Sequence, residues 1–248
     1  MPDWKALGRT ILAIAILLFA TLHLMRALSL VPAVTFPWIA TSKLVVAITG
    51  ILLLACGIGI LIDRCRRLAS LVLAVFLAIY VLAFYITFIA QGPRDPTRYA
   101  GVAELISMAS AALLLSDDSR PFSLTARILL ALAMVNFGAV HFLLPQFIGP
   151  LVPAWLPGHL FFTYFIGCAF IAAALSFVSG IQVRLAGILL GFMFVIFVVT
   201  LHLPRILHAL RSMDEWISGA VAFAMIGVSW IASDSASAAR KAVAKSVS

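Results

Sequence analysis

Eight stretches of the chain are long and apolar enough to cross a lipid bilayer, and the turns between them leave no room for a separate soluble domain. A membrane helix needs about 20 predominantly apolar residues. With charges and turn signals as punctuation, the windows run over 9–30, 40–62, 67–90, 99–116, 126–147, 159–179, 184–207 and 214–232. The breaks carry turn chemistry. They are Pro32 and Pro37, Asp63-Arg64, Gly92 to Pro96, Ser116 to Asp118, Pro150 with Pro153 and Pro157, Ser179-Gly180, and Arg211 to Glu215. The expected fold is an all-α integral membrane protein with eight transmembrane helices.

Charge agrees with that class. The chain is 64% hydrophobic and 10% charged, against about 25% charged in a soluble domain. Its 17 Lys and Arg stand singly between apolar runs, a pattern that speaks against nucleic acid and for the lipid bilayer as partner. Assigning loops alternately to the two sides places 11 of the 17 basic residues on the side of both termini, Lys5, Arg9, Arg64, Arg66, Arg67 and Arg240 among them. Basic loops stay cytoplasmic, so both termini are expected there. Cys56, Cys65 and Cys168 show no CxxC or Cys/His spacing and read as small packing residues, with no metal site. Ala27-Leu28-Ser29 imitates a signal-peptide cleavage site, but the segment before it has an uncleaved counterpart later in the chain, so it is read as retained.

That counterpart belongs to a tandem repeat. At an offset of 118, Arg9, Phe19, His23 and Pro32 match Arg127, Phe137, His141 and Pro150. At 117, Trp38, Gly50, Arg67, Leu68 and Ala69 match Trp155, Gly167, Arg184, Leu185 and Ala186. Arg, His, Trp and Pro are scarce in apolar segments, so their coincidence in register marks two four-helix units, 1–120 and 121–233, followed by a disordered cytoplasmic tail, 234–248. An even helix number per unit gives both the same orientation, as parallel repeats about an axis along the membrane normal.

The candidate ligand-binding residues are His23, His141, His202, Arg205, Glu104, Trp38 and Trp155. All five histidines fall toward one side of the membrane, and a buried imidazole must face the bundle and find a partner. That partner is either a carbonyl of a neighbouring helix or a ligand. In Leu201-His202-Leu203-Pro204-Arg205 the proline is expected to break the helix, and the Arg either binds an anionic or carbonyl-bearing ligand or snorkels to headgroups. Trp38 and Trp155 sit in apolar, proline-rich links expected to cover the bundle, as interfacial anchors or ligand contacts. Glu104, inside Val102 to Met108, pairs with Arg26, Arg94 or Arg98 or lies near the water boundary, while Asp214 and Glu215 read as solvated loop charges. No nucleotide-binding, zinc-protease or nucleophile-elbow motif is present, and no catalytic residue is assigned.

Phe137-Gly138-Ala139-Val140-His141-Phe142, Val152-Pro153-Ala154-Trp155-Leu156-Pro157, Gly167 and Arg184-Leu185-Ala186-Gly187 resemble the DoxX/DoxD-like family of four-helix bacterial membrane proteins. So do His202-Leu203-Pro204-Arg205 and Asp214-Glu215-Trp216. The resemblance covers most of 126 to 233, with a fainter copy over 9 to 117. It implies a multi-pass protein of the bacterial inner (plasma) membrane, serving as an accessory component of a quinone- or thiol-linked redox system with redox partner proteins. Many relatives carry Gly-x-x-Glu on the second helix of the unit. Here Gly50 precedes Leu53 and Gly167 precedes Phe170, so that glutamate is lost or moved, with Glu104 as its replacement.

Three functions follow as expectations. They are a redox component with an outer-side pocket for a quinone, a small-molecule transporter, and a structural or assembly partner without catalysis. A haem held by His23 and His141 ranks below the quinone, because each histidine stands alone on its helix. For topology, a single-cysteine Arg66→Cys variant in a cysteine-free background is expected to resist an impermeant thiol reagent applied outside intact cells. Labelling from outside would reverse the orientation.

Overall fold

The computed structural model describes residues 2–30, 42–91, 96–117 and 119–236, and side chains within that set except those of 84–91 and 96–98. Among the described residues the chain is helical, without strands, and eight helices are long and apolar enough to cross a membrane. They are α1 (Trp4–Ala27), α2 (Lys43–Leu61), α3 (Arg66–Gln91), α4 (Pro96–Ser116), α5 (Arg120–Leu143), α6 (His159–Ser179), α7 (Val183–His208) and α8 (Met213–Ala232). The windows read from the sequence all correspond to helices. The greatest departures are at α1 and α5, which start earlier because a side-chain cap at α1 and a first-turn proline at α5 set the helix start where charge had marked a membrane boundary. Asp3 accepts the Ala6 N–H at 2.9 Å, and α5 begins after Ser119 with a proline in its first turn, where a missing N–H costs nothing. The helix ends at Leu143, because the residue before Pro145 is pushed out of the α region.

The outside of the bundle is inverted relative to a soluble protein. On α2, Leu44, Ile48 and Ile51 are 70%, 58% and 59% exposed, a helical stripe that water would expel and hydrocarbon accepts. Small residues occupy the inside. Without a hydrophobic force between helices in lipid, association relies on close packing, and α1 and α8 meet where Gly8 faces Gly227. A Cβ at Gly227 would lie 2.7 Å from the Gly8 carbonyl oxygen and from the Leu12 nitrogen.

Neighbour relations repeat along the chain. α1 packs on α2 and α3 on α4, as α5 packs on α6 and α7 on α8. α1 also lies against α8 and α5 against α4, while α4 and α8 touch each other. These last two are the most enclosed spans.

One end of the bundle gathers the start of α1, the start of α5 and the end of α8. Trp4 packs on Trp230 at 5.0 Å and on Phe192 at 5.6 Å between ring centroids, and the Ser123 hydroxyl donates to the Ser235 carbonyl at 2.6 Å. Ser235 and Ala236 are buried and Asp234 pairs with Arg184 at 3.7 Å. Residues 234–236 of the expected disordered tail are therefore packed, and 237–248 lie outside the described residues.

At this end, too, cations stabilise helix C-termini. Buried Arg127 donates from Nε to the Phe177 carbonyl at 2.9 Å and from Nη2 to the Val178 carbonyl at 3.4 Å. It thereby serves last-turn acceptors of α6 that have no partner within their own helix. Gly180 then turns the chain at φ 76°, a left-handed cap that glycine adopts without a Cβ penalty, and a Cβ there would crowd Arg127 at 2.9 Å. Arg9 reaches the corresponding place after α2 but pairs with Asp63, and its guanidinium holds the exposed Asp63 carboxyl below the usual carboxylate range.

Substituting Gly227→Val should force α1 and α8 apart. A loss of about 1–3 kcal/mol, as for other overpacked cores, is expected in thermal unfolding in detergent, whereas Gly149→Ala, whose Cβ would meet nothing closer than 3.9 Å, should unfold near wild type. Equal stability of the two variants would contradict the packing.

Candidate ligand-binding site

All eight helices contribute to a cavity of about 930 Å³. That is within the ~300–1,000 Å³ range of small-molecule sites. Its wall is chiefly aromatic and aliphatic. On one side Phe170 bridges Phe137 and Phe194 at centroid distances of 5.3 and 5.9 Å, and His141 leans on Phe170 at 5.3 Å.

The polar side chains reach this wall from different helices. His23 and Arg26 come from α1, Glu104 from α4, His141 from α5, His202 and Arg205 from α7, and Asp214 and Glu215 from α8. Trp155 joins them from the link after α5 and is 70% exposed. Six of the seven sequence candidates thus share one cavity, and the seventh, Trp38, lies outside the described residues. His159 and His208 are absent from its described lining.

His23 and His141 do find carbonyls, but on their own helices. His23 Nδ1 is 2.8 Å from the Phe19 oxygen and His141 Nδ1 is 2.7 Å from the Phe137 oxygen. A carbonyl only accepts, so Nδ1 carries the proton in both rings. The expectation of a neighbouring-helix carbonyl is corrected by reach, because the oxygen one turn back is already within contact of an imidazole on a helix. A glycine lets each histidine approach the next helix. A Cβ at Gly50 would stand 3.1 Å from His23 Cβ, and one at Gly167 would stand 3.1 Å from His141 Cβ.

Pro204 does not break its helix. Val198–His202 forms a π-turn and Leu203–His208 continues as α-helix with the proline in its first turn. The wider turn accommodates the missing N–H, and Leu203 N–H bonds back to the Val198 carbonyl. Such π-turns recur at functional sites. This one places His202 and Arg205 on the cavity wall, where His202 Nδ1 is buried with no partner among the described residues.

Arg205 donates to Glu215 Oε1 at 2.8 Å, so a carboxylate of the chain occupies the guanidinium read as a ligand or headgroup contact. Glu215 is therefore not a solvated loop charge. It stands in the first turn of α8, where the Ser212 hydroxyl accepts its N–H at 3.4 Å. The spacing Ser212-x-x-Glu215 is the capping-box signature that would have placed it there. Glu104 is half-buried on the wall, and no hydrogen bond or ion pair of its carboxyl falls among the described residues. Of its three expected partners, Arg26 shares the cavity, whereas Arg94 and the Arg98 side chain lie outside the described residues.

Thr49 and Thr200 are wall residues that the sequence reading passed over. Cys56 is buried as expected, but Cys65 and Cys168 are exposed. No grouping of His, Cys, Asp and Glu among the described residues has the arrangement of a metal site. No family model matches the chain, and no curated protein or solved structure matches it either.

Losing the Arg205 guanidinium leaves the Glu215 carboxylate facing an apolar cavity. Arg205→Met is expected to lower stability by about 1–3 kcal/mol, the penalty for an unsatisfied charged hydrogen-bond partner. Arg205→Met with Glu215→Gln should recover most of it, as read by thermal unfolding of the detergent-solubilised protein.

Proposed function

We propose that the chain is an inner-membrane protein of two tandem DoxX-like units with cytoplasmic termini, which binds a quinone-type molecule between them as a non-catalytic component of a redox system. The observation that carries this reading is the cavity itself. Its ~930 Å³ volume and largely hydrocarbon wall suit a lipid-soluble ring, and a few polar groups converge on it to orient the head.

The two-unit reading draws support from equivalences that recur one repeat apart. His23 against Gly50 parallels His141 against Gly167, and Arg9 at the end of α2 parallels Arg127 at the end of α6. The reciprocal packing of α1 on α8 and α5 on α4 is what rotation about an axis along the bundle produces. Leu53 and Phe170, which stand where family relatives carry the glutamate of Gly-x-x-Glu, line the cavity together with Glu104. This supports a carboxylate moved to α4. Transport is the second reading, favoured because walls from both units enclose the cavity, and uptake of a quinone analogue into proteoliposomes would distinguish it.

Titration of the purified protein with a short-chain benzoquinone should give saturable quenching of Trp fluorescence. Apparent affinity should weaken about tenfold in both His23→Ala and His141→Ala, since each truncation removes ring surface of the cavity wall against which the ligand packs, worth on the order of 1–2 kcal/mol. Quenching that rises linearly and equally in all three proteins would overturn the reading.

A further inference from the structure

On the cavity wall, four polar side chains from four different helices spend their hydrogen-bond donor on the carbonyl four residues back. His23 bonds to Phe19 at 2.8 Å, Thr49 to Val45 at 2.8 Å, His141 to Phe137 at 2.7 Å and Thr200 to Ile196 at 2.7 Å. Each proton is fixed by the same logic, since the carbonyl partner offers lone pairs alone. What remains for a ligand is the complementary set, the Nε2 lone pair of each imidazole in its neutral form and the oxygen lone pairs of each hydroxyl. The carboxyl of Glu104 joins the same wall, and its carbonyl oxygen accepts in either protonation state. Outside this set of four, the wall also carries donor groups on Arg26, in the last turn of α1, on Ser218, in the second turn of α8, on the one ring N–H of His202, and on Tyr80 and Trp155. Arg205 is engaged by Glu215 at 2.8 Å.

We infer that the cavity selects a head that donates hydrogen bonds, and thus the dihydroxy, reduced form of a quinone-type ligand over its oxidised form. A quinone head has two carbonyl oxygens and no proton to give, so it meets the four wall groups lone pair to lone pair. A hydroquinone turns an O–H toward each of two acceptors without any change in the protein. Sites with hydrogen-bonding groups set for a hydroxyl discriminate steeply against analogues that lack it, because the site's own polar groups are then left unpaired in a dry environment. This inference rests on the quinone-type reading above and adds to it which redox form is held.

The test compares three ligands with the same ring and tail, a hydroquinone, its quinone and its dimethyl ether, titrated anaerobically into purified full-length protein by Trp quenching. The hydroquinone is expected to bind at least about tenfold more tightly than either of the others, the discrimination that two hydrogen bonds supply. Thr49→Val and Thr200→Val keep side-chain shape but remove an acceptor, and each should reduce that preference severalfold by weakening hydroquinone binding relative to quinone binding. If quinone and hydroquinone bind equally, or the quinone binds more tightly, the donor preference is wrong and the pocket reading stands. If no member of the series binds saturably, both fall together.

Discussion

The hydrogen bond from a side chain to the carbonyl one helical turn back organises this protein. Within hydrocarbon every donor must be satisfied inside the structure, and the nearest acceptor on a helix is always that carbonyl. Ser107, Ser110 and Ser229, buried where helices pack, close the same bond at 2.7 Å and so present no unpaired proton to an apolar neighbour. Along the cavity the identical bond has a second consequence. It converts amphoteric groups into acceptors and gives an apolar chamber a polarity set by backbone geometry.

A chamber exists because the helices pack closely elsewhere. Gly8 against Gly227 brings α1 and α8 to backbone contact, and Gly187 does the same for α7, where a Cβ would lie 2.7 Å from the Ser229 carbonyl oxygen. Along the cavity wall large aromatic side chains pack on one another, Phe170 lying between Phe137 and Phe194. The cavity lies among these aromatic residues and is lined by His23, His141 and His202 as well. There the π-turn before Pro204 lets α7 continue past a residue that cannot donate.

Much of this was written in the sequence at the level of elements. Hydropathy located the eight membrane-length helices among the described residues because spanning a bilayer demands an apolar run of set length, and scarce polar side chains within or beside those runs singled out several residues that line the cavity. What escaped depends on short-range geometry that periodicity does not encode. Pro204 read as a break because its missing N–H is visible in a sequence, whereas the π-turn that absorbs it is not. Glu215 read as a loop charge because its partner Arg205 comes from another helix, although the Ser212-x-x-Glu215 spacing was there to be used. Thr49 and Thr200 drew no attention because a threonine in a membrane helix is ordinary. Its direction relative to a cavity emerges once the helices are packed.

On the two-unit reading, the site's symmetry and its departures divide the work of recognition. His23 and His141, each backed by a glycine of the next helix, furnish equivalent acceptors, which suits a ring carrying like groups at opposite positions. A symmetric wall alone would hold such a ring in either of two orientations. Glu104 lines the cavity from the first unit where the second has Ala222, itself on the wall, and Trp155 and Phe147 line it from the link after α5. Glu104 has no acidic counterpart in the second unit, so on the proposed reading it is the feature that would distinguish the two ends of a bound head. On that reading the duplicated histidines set what kind of group is bound, and the unduplicated Glu104 carboxyl sets which way it lies.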